Sequence, residues 1–252
     1  MKKVRNALVV ADHHGYNYAP KVLSIQCKIA RIIKPDYLVF LGDQIDATGI
    51  SKFTAKEFSE GALDTVNEIE FFRNKIFNPL VEASPRAKII WTRGNHDGKR
   101  FVDFLLKLKE KGFLEQFNHY NNLLNIKKQF PEVDVYDYNQ CARIGRLYFT
   151  HGEYHNMHHT HKHAIVYGKN VMYGHLHTHD EKTVISKATN KIHAGISIPC
   201  SCKLDMEYIK NRSHSWVQGC AVVQFTPSGD YFHHVIKIIN NRTIFRGRVI
   251  TP

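Results

Sequence analysis

Three short apolar runs, each followed by a segment whose apolar residues recur every three or four positions, dominate the first 110 residues. Residues 6–11 form a β-branched run, after which Val22, Ile25, Ile29 and Ile32 keep helical spacing until Pro35 stops the pattern. Residues 37–41 form the second run, and Leu63, Val66, Ile69, Phe72, Ile76 and Leu80 again fall at helical spacing. Residues 87–92 form the third, followed by Phe101, Phe104, Leu105 and Leu108. A βαβαβα order of this kind restricts the chain to an α/β fold with a mainly parallel sheet under covering helices. The later part carries strand and hairpin signals at 142–150, 171–173, 183–196 and 220–236, with Pro227, Ser228, Gly229 and Asp230 supplying a turn. Hairpins are expected to dominate there. Residues 118–125 are polar and fit no element. With no repeat or Pro/Gly/Ser linker, the expectation is one domain spanning 1–252, whose halves contribute sheets to a shared core.

Composition removes several classes. At 43% hydrophobic and 23% charged, the chain is neither disordered nor fibrous. No apolar run approaches the roughly 18 residues of a membrane span. The apolar stretch behind Lys2, Lys3 and Arg5 ends at Asp12, too short for a signal-peptide core, so a cytoplasmic location is expected. Five cysteines, an odd number without a scaffold pattern, suit a reducing compartment. Cys200 and Cys202 could seed a soft-metal site, but no second pair stands at finger-like spacing. The net charge of +12 points to acidic partners. Lys237, Arg242, Arg246 and Arg248, with no acid between 231 and 252, form a candidate phosphate-facing rim.

Each of the first three strands ends in metal-competent side chains, where open α/β sheets place their ligands. Asp12, His13 and His14 follow the first; Gly42, Asp43, Gln44, Ile45 and Asp46 the second; Gly94, Asn95, His96 and Asp97 the third. His151 with Gly152, and Gly174, His175, Leu176 and His177, come later. On an extended backbone, period-two alternation aims Asp12 with His14 and His175 with His177, turning His13 and Leu176 away. Asp12, His14, Asp43, Asn95, His151, His175 and His177 supply seven oxygen and nitrogen donors, enough for two divalent ions sharing a carboxylate. The set has no thiolate. Manganese is the first expectation, with iron, zinc and nickel also admissible.

The ordered blocks Asp-x-His, Gly-Asp-x-x-Asp, Gly-Asn-His-Asp, His and Gly-His-x-His resemble those of the calcineurin-like metallophosphoesterases, and stretch from Asp12 to His177. The resemblance implies a two-sheet αββα sandwich, with Asp12, His14, Asp43 and His177 on one ion and Asp43, Asn95, His151 and His175 on the other. It further implies that His96 contacts the substrate phosphate or protonates the leaving group, with Asp97 orienting its ring, and that Asp46 is structural. The Arg-Gly of protein Ser/Thr phosphatases and diadenosine tetraphosphate hydrolases is absent, since Ala47, Thr48 and Gly49 follow Asp46. His96 stands where lipid A pathway pyrophosphatases carry Arg. The blocks also resemble those of SbcD-type nucleases, without an obvious C-terminal capping domain, and the length is similar to that of uncharacterised phage and bacterial phosphoesterases.

The expected function is dimetal-dependent hydrolysis of phosphoesters in nucleotides or nucleic acid, by a nuclease or phosphodiesterase or by a 5'-nucleotidase. The alternative is a catalytically silent binding module of the same fold. Arg100 and Lys99 are candidate phosphate clamps, and Lys52 has a weaker claim of the same kind. Residues 151–179 hold nine of the seventeen histidines, of which His155, His158, His159, His161 and His163 read as a solvated polar loop beside the centre. Trp216, Tyr208 and Phe232 are candidate base-stacking rings, although aromatics near hairpins more often belong to the core.

Overall fold

The computed structural model describes residues 3–52, 57–206, 209 and 214–252, and Tyr208 lies outside them. The three apolar runs become β1 (Arg5–Val10), β2 (Tyr37–Phe40) and β3 (Lys88–Thr92), separated by α1 (Pro20–Ile33) and by α2 (Phe58–Phe72) with α3 (Asn78–Glu82). A wide π turn at Arg73–Phe77 joins α2 to α3. Pro79 follows it, with no amide to donate and a ring that crowds a regular helix. Then come α4 (Arg100–Glu110), α5 (Leu114–Leu123), α6 (Ile126–Gln129) and β4 (Asp134–Tyr136). The polar stretch at 118–125 falls largely within α5, none of whose residues is buried, so it carries no apolar stripe to read.

The rest supplies β5 (Ala142–Ile144), β6 (Leu147–Thr150), α7 (His159–Tyr167), β7 (Asn170–Tyr173), β8 (Asp180–Ile185), β9 (Ile192–Ser197), β10 (Gln218–Phe225), β11 (Tyr231–Ile238), β12 (Thr243–Phe245) and β13 (Arg248–Ile250). One sheet runs β11-β10-β1-β2-β3-β4, a second runs β5-β6-β7-β9-β8, and β12 and β13 pair on their own. β1 to β4 are parallel, as the alternation predicts. Hairpins do dominate the later part, where β5–β6, β8–β9, β10–β11 and β12–β13 each pair antiparallel. The expectation did not include that β6, β7 and β9 are parallel, with α7 the crossover that parallel β6 and β7 require.

Alternation along the strands builds two cores. Val9, Val39 and Ile90 lie in one register row and face the second sheet, meeting Leu147, Phe149, Met172 and Ile196. Val10, Phe40 and Trp91 point the other way, under the helices, where Phe72, Phe77 and Phe130 enclose Trp91 and Phe40. Burying one such ring contributes about 2–3 kcal/mol. α7 covers the outer face of the second sheet, completing a two-sheet sandwich with helices outside both. No helix among the described residues is long and apolar enough to cross a membrane.

Candidate metal centre

Parallel strands deliver their C-terminal loops to one edge, and here those loops are laced together. The Asp12 amide donates to Gly42 O at 3.2 Å and the His14 amide to Asp43 O at 3.0 Å. The Asp12 carboxylate accepts the His175 amide at 3.0 and 3.2 Å, which ties the first sheet to the second. Five candidate ligands have left-handed backbone: Asp12 (φ 55), His14 (φ 53), Asp43 (φ 48), His175 (φ 71) and His177 (φ 60). Alternation on an extended strand therefore does not aim these side chains, although Asp12 and His14 do reach one cluster. Tight turns do it, at a cost of about 1 kcal/mol or more per non-glycine residue. Two glycines permit the crowding: a Cβ on Gly94 would lie 2.1 Å from Asp43 Oδ1, and one on Gly174 2.5 Å from Asp12 Oδ2.

The seven predicted donors meet in this edge. His151 Nε2 lies 2.9 Å from Asn95 Oδ1, 3.1 Å from His175 Nδ1 and 3.1 Å from Asp43 Oδ2. His14 Nε2 and His177 Nε2 face each other at 3.1 Å, and His177 Nε2 is 3.5 Å from Asp12 Oδ1. Asp12, His14 and Asp43 form one tight group of ligand atoms and Asp43, His151 and His175 another, so Asp43 belongs to both. His151 hydrogen-bonds Leu41 O through Nδ1 and His14 hydrogen-bonds Asp46 Oδ1 through Nδ1, which leaves both Nε2 atoms aimed inward.

The electrostatics fit a bound cation. Asp12 and Asp43 are buried, and among the described residues their ion-pair partners are histidines. Burial works to raise the Asp43 carboxyl, yet His151 and His96 hold it well below the usual range. Burial likewise disfavours charge on His151, yet Asp43 pushes it up to about 10. Burial and the neighbouring His151 push His175 down to about 4, keeping a lone pair available. Buried carboxylates beside imidazoles are a donor set that divalent ions satisfy, and a bound cation would take the place of the proton that Asp43 holds on His151.

His96 stands at the mouth of the cluster, with its amide on Asp43 Oδ1 at 2.8 Å. Its ring partner is Asp46, whose Oδ1 lies 2.6 Å from His96 Nδ1. This corrects the expectation for Asp97, whose carboxylate is occupied by the amides of Gly94 and Gln44 and by the Trp91 indole. Asp97 fixes the loop backbone, and Asp46 serves both His96 and His14. Burial opposes charge on Asp46, but the two imidazoles hold its carboxyl below the usual range. Glu68, which sequence reading did not single out, accepts the Asp46 and Ala47 amides at 2.7 and 2.9 Å, and burial pushes it up to about 7. A carboxylate within α2 had no local signal of that role.

Arg100 donates to Asp46 O and lies 3.5 Å from His96 Nε2, while Lys99 pairs with Asp103 one turn along α4. Both line a groove with Asn95 and Lys52. His13 is buried against Gln44 at 2.6 Å and turned away from the cluster. The His-rich segment corrects the loop expectation: His159 and His163 are buried on α7, where His159 bonds the Tyr173 hydroxyl at 2.7 Å and His163 stacks on the Tyr173 ring. Trp216 rests on the His177 ring at 4.0 Å, Cys202 Sγ is 3.7 Å from His177 Nδ1, and Phe232 is exposed.

The sequence profile of the calcineurin-like phosphoesterases matches residues 6–195, three quarters of the chain. The protein belongs to this family, whose members are generally metal-dependent phosphoester hydrolases, typically with two divalent ions. A comparison with curated proteins returned no match. Similar solved structures include vacuolar protein sorting 29 from Cryptosporidium parvum, at 8% identity and TM-score 0.46 over 98% of this chain and 94% of that one. TT1561 of Thermus thermophilus is similar at 11% identity and TM-score 0.43, over 92% and 99%. Vps29 of Chaetomium thermophilum is similar at 11% and 0.39, over 91% and 96%.

Proposed function

We propose that this protein hydrolyses phosphoesters of nucleotides or nucleic acid at a two-ion centre, with manganese as the first candidate metal. The observation that carries the reading is the pair of ligand-atom groups sharing Asp43, with His96 and Arg100 at their mouth. In this reading Asp12, His14, Asp43 and His177 hold one ion, and Asp43, Asn95, His151 and His175 the other. Two divalent ions there would polarise a phosphoryl oxygen and acidify an attacking water. His96 Nε2 holds the proton passed to the leaving oxygen, and Asp46 keeps the ring in place by accepting from Nδ1. Arg100, and Lys99 beside it, draw the phosphate to the mouth and orient it. The basic surface supports a nucleotide or nucleic-acid substrate.

The test is a panel of bis-p-nitrophenyl phosphate, p-nitrophenyl phosphate, deoxynucleoside monophosphates and single-stranded DNA, assayed with Mn²⁺ and with chelator, alongside metal analysis. Turnover that needs Mn²⁺, with close to two ions per chain, is expected. No turnover of any substrate, or a chain that binds no stoichiometric metal, would leave the silent binding module as the reading.

A further inference from the structure

A second cavity, of 640 Å³, opens between the β5–β6 turn, the start of β7, the β8–β9 turn and the β10–β11 turn. It lies at the opposite end of the second sheet from the donor cluster. Tyr148 and Asn170 sit near the N-terminal ends of β6 and β7, whereas His151 and His175 follow their C-terminal ends. A four-residue strand spans roughly 13 Å, so the two sites are separate.

Arg143, Arg146, Lys169 and Lys191 line this cavity beside His193, and Asp230 is the single acid among its lining residues. That acid is engaged, because it pairs with Arg146 and accepts the Ser228 hydroxyl at 2.8 Å. Arg143, Lys169 and Lys191 are exposed, and like charges around one concavity repel one another until an anion enters. The aromatic walls are taken: Arg143 lies 5.4 Å over the Tyr148 ring, and Tyr231 packs against the core between the sheets. Charge therefore dominates over stacking.

We propose that this cavity is a second phosphate site, which holds the sugar–phosphate backbone of a nucleic-acid strand away from the catalytic centre. The inference rests on the nucleic-acid reading above. Cations that meet phosphates without reading bases give affinity and steering, and a strand anchored there stays at high local concentration near the hydrolytic edge.

The experiment uses metal-stripped protein in chelator, so that nothing is cleaved, with fluorescein-labelled single-stranded DNA followed by anisotropy across a salt series. The triple variant Arg143→Glu, Lys169→Glu, Lys191→Glu should bind at least tenfold more weakly. Its log–log salt slope should fall by about 2, at roughly 0.7 per lost contact. A control triple with the same charge change on scattered exposed lysines, Lys21→Glu, Lys75→Glu, Lys109→Glu, should shift binding less than threefold. Both triples should keep bis-p-nitrophenyl phosphate turnover within twofold when Mn²⁺ is restored, and melting curves check folding, with the Gln versions substituting for any triple that unfolds.

Equal losses in the two triples, or wild-type affinity and slope in the cavity triple, overturn the proposal. So does displacement of the strand from wild-type protein by ATP at equal phosphate concentration, which would assign the cavity to free nucleotides. If the wild type hydrolyses no nucleotide or nucleic acid while the cavity triple still loses DNA binding, the substrate reading fails and this site stands. Intact DNA hydrolysis with unchanged binding in the cavity triple sinks this site alone.

Discussion

Asp46 holds two imidazoles at once, His96 at 2.6 Å and His14 at 3.1 Å, and this divides the expected effects of three substitutions. His96→Asn should retain both ions and lower kcat by about 10² to 10⁴, the range a positioned general acid contributes. The loss should be larger for nucleoside leaving groups than for p-nitrophenolate, which departs without a proton. An equal loss for both, or a lost ion, would refute the acid role. Asp46→Asn should show the same leaving-group dependence and also weaken metal binding through His14, about 10- to 100-fold. Asp97→Asn should instead lower the melting temperature, because its carboxylate closes the loop through Gly94, Gln44 and Trp91. Asp43→Asn should lose metal content and activity together, since this one carboxylate belongs to both donor groups. Which residues gather at this edge was legible in the sequence, because loops after parallel strands announce themselves by position. The Asp46–His96 contact was not, because it joins residues 50 apart in sequence while Asp97 stands next to His96. Left-handed turns were equally invisible, since Asp and His do not signal them as glycine does.

At the scale of elements, the βα alternation was readable wherever a helix keeps an apolar stripe, as α1 and α4 do with Val22, Ile25, Ile29, Phe101, Phe104 and Leu108 buried. α7 escaped because three of its four buried residues, His159, Thr160 and His163, are polar types that only the tertiary contacts of Tyr173 and Asp180 make internal, with Ala164 the one apolar member. The same burial predicts a pH dependence. Burial pushes His163 down to about 4. A group with a lowered folded pKa binds fewer protons than in the unfolded chain, so its stability is intact above about pH 6.5 and is lost as pH falls towards 4, by up to about 3 kcal/mol. Urea unfolding in chelator at pH 7 and pH 5 should show this loss, and His163→Phe should remove the His163 share of it, with His13 and His175, which burial also pushes down to about 4, supplying the rest. An unchanged pH dependence in the variant would remove His163 as a cause. α1 offers a second check. It ends on Lys34 in left-handed conformation (φ 48), whose amide bonds Ala30 O, so Lys34→Gly should stabilise the protein by about 1 kcal/mol. Equilibrium unfolding would measure this directly.

For the whole molecule, the two sheets face each other across an apolar core, and the candidate ligands are divided between them. Asp12, His14, Asp43 and Asn95 follow strands of the first sheet, and His151, His175 and His177 follow strands of the second. Ions bound as proposed would be linked to folding. At a thousandfold excess over the dissociation constant, one ion adds about 4 kcal/mol, which at this size is a shift of roughly 10 °C in melting temperature. Calorimetry with Mn²⁺ and with chelator should reveal it, and unchanged melting would argue that no ion binds the folded chain in preference to the unfolded one. In mechanical terms the centre is a rivet through two plates. Chelation would then do more than strip a site: it would leave the donor edge to the apolar core and to a few hydrogen bonds, such as the His175 amide on Asp12 and His151 on Leu41 O. A descendant that gave up hydrolysis by discarding these ligands would have to fasten that edge some other way.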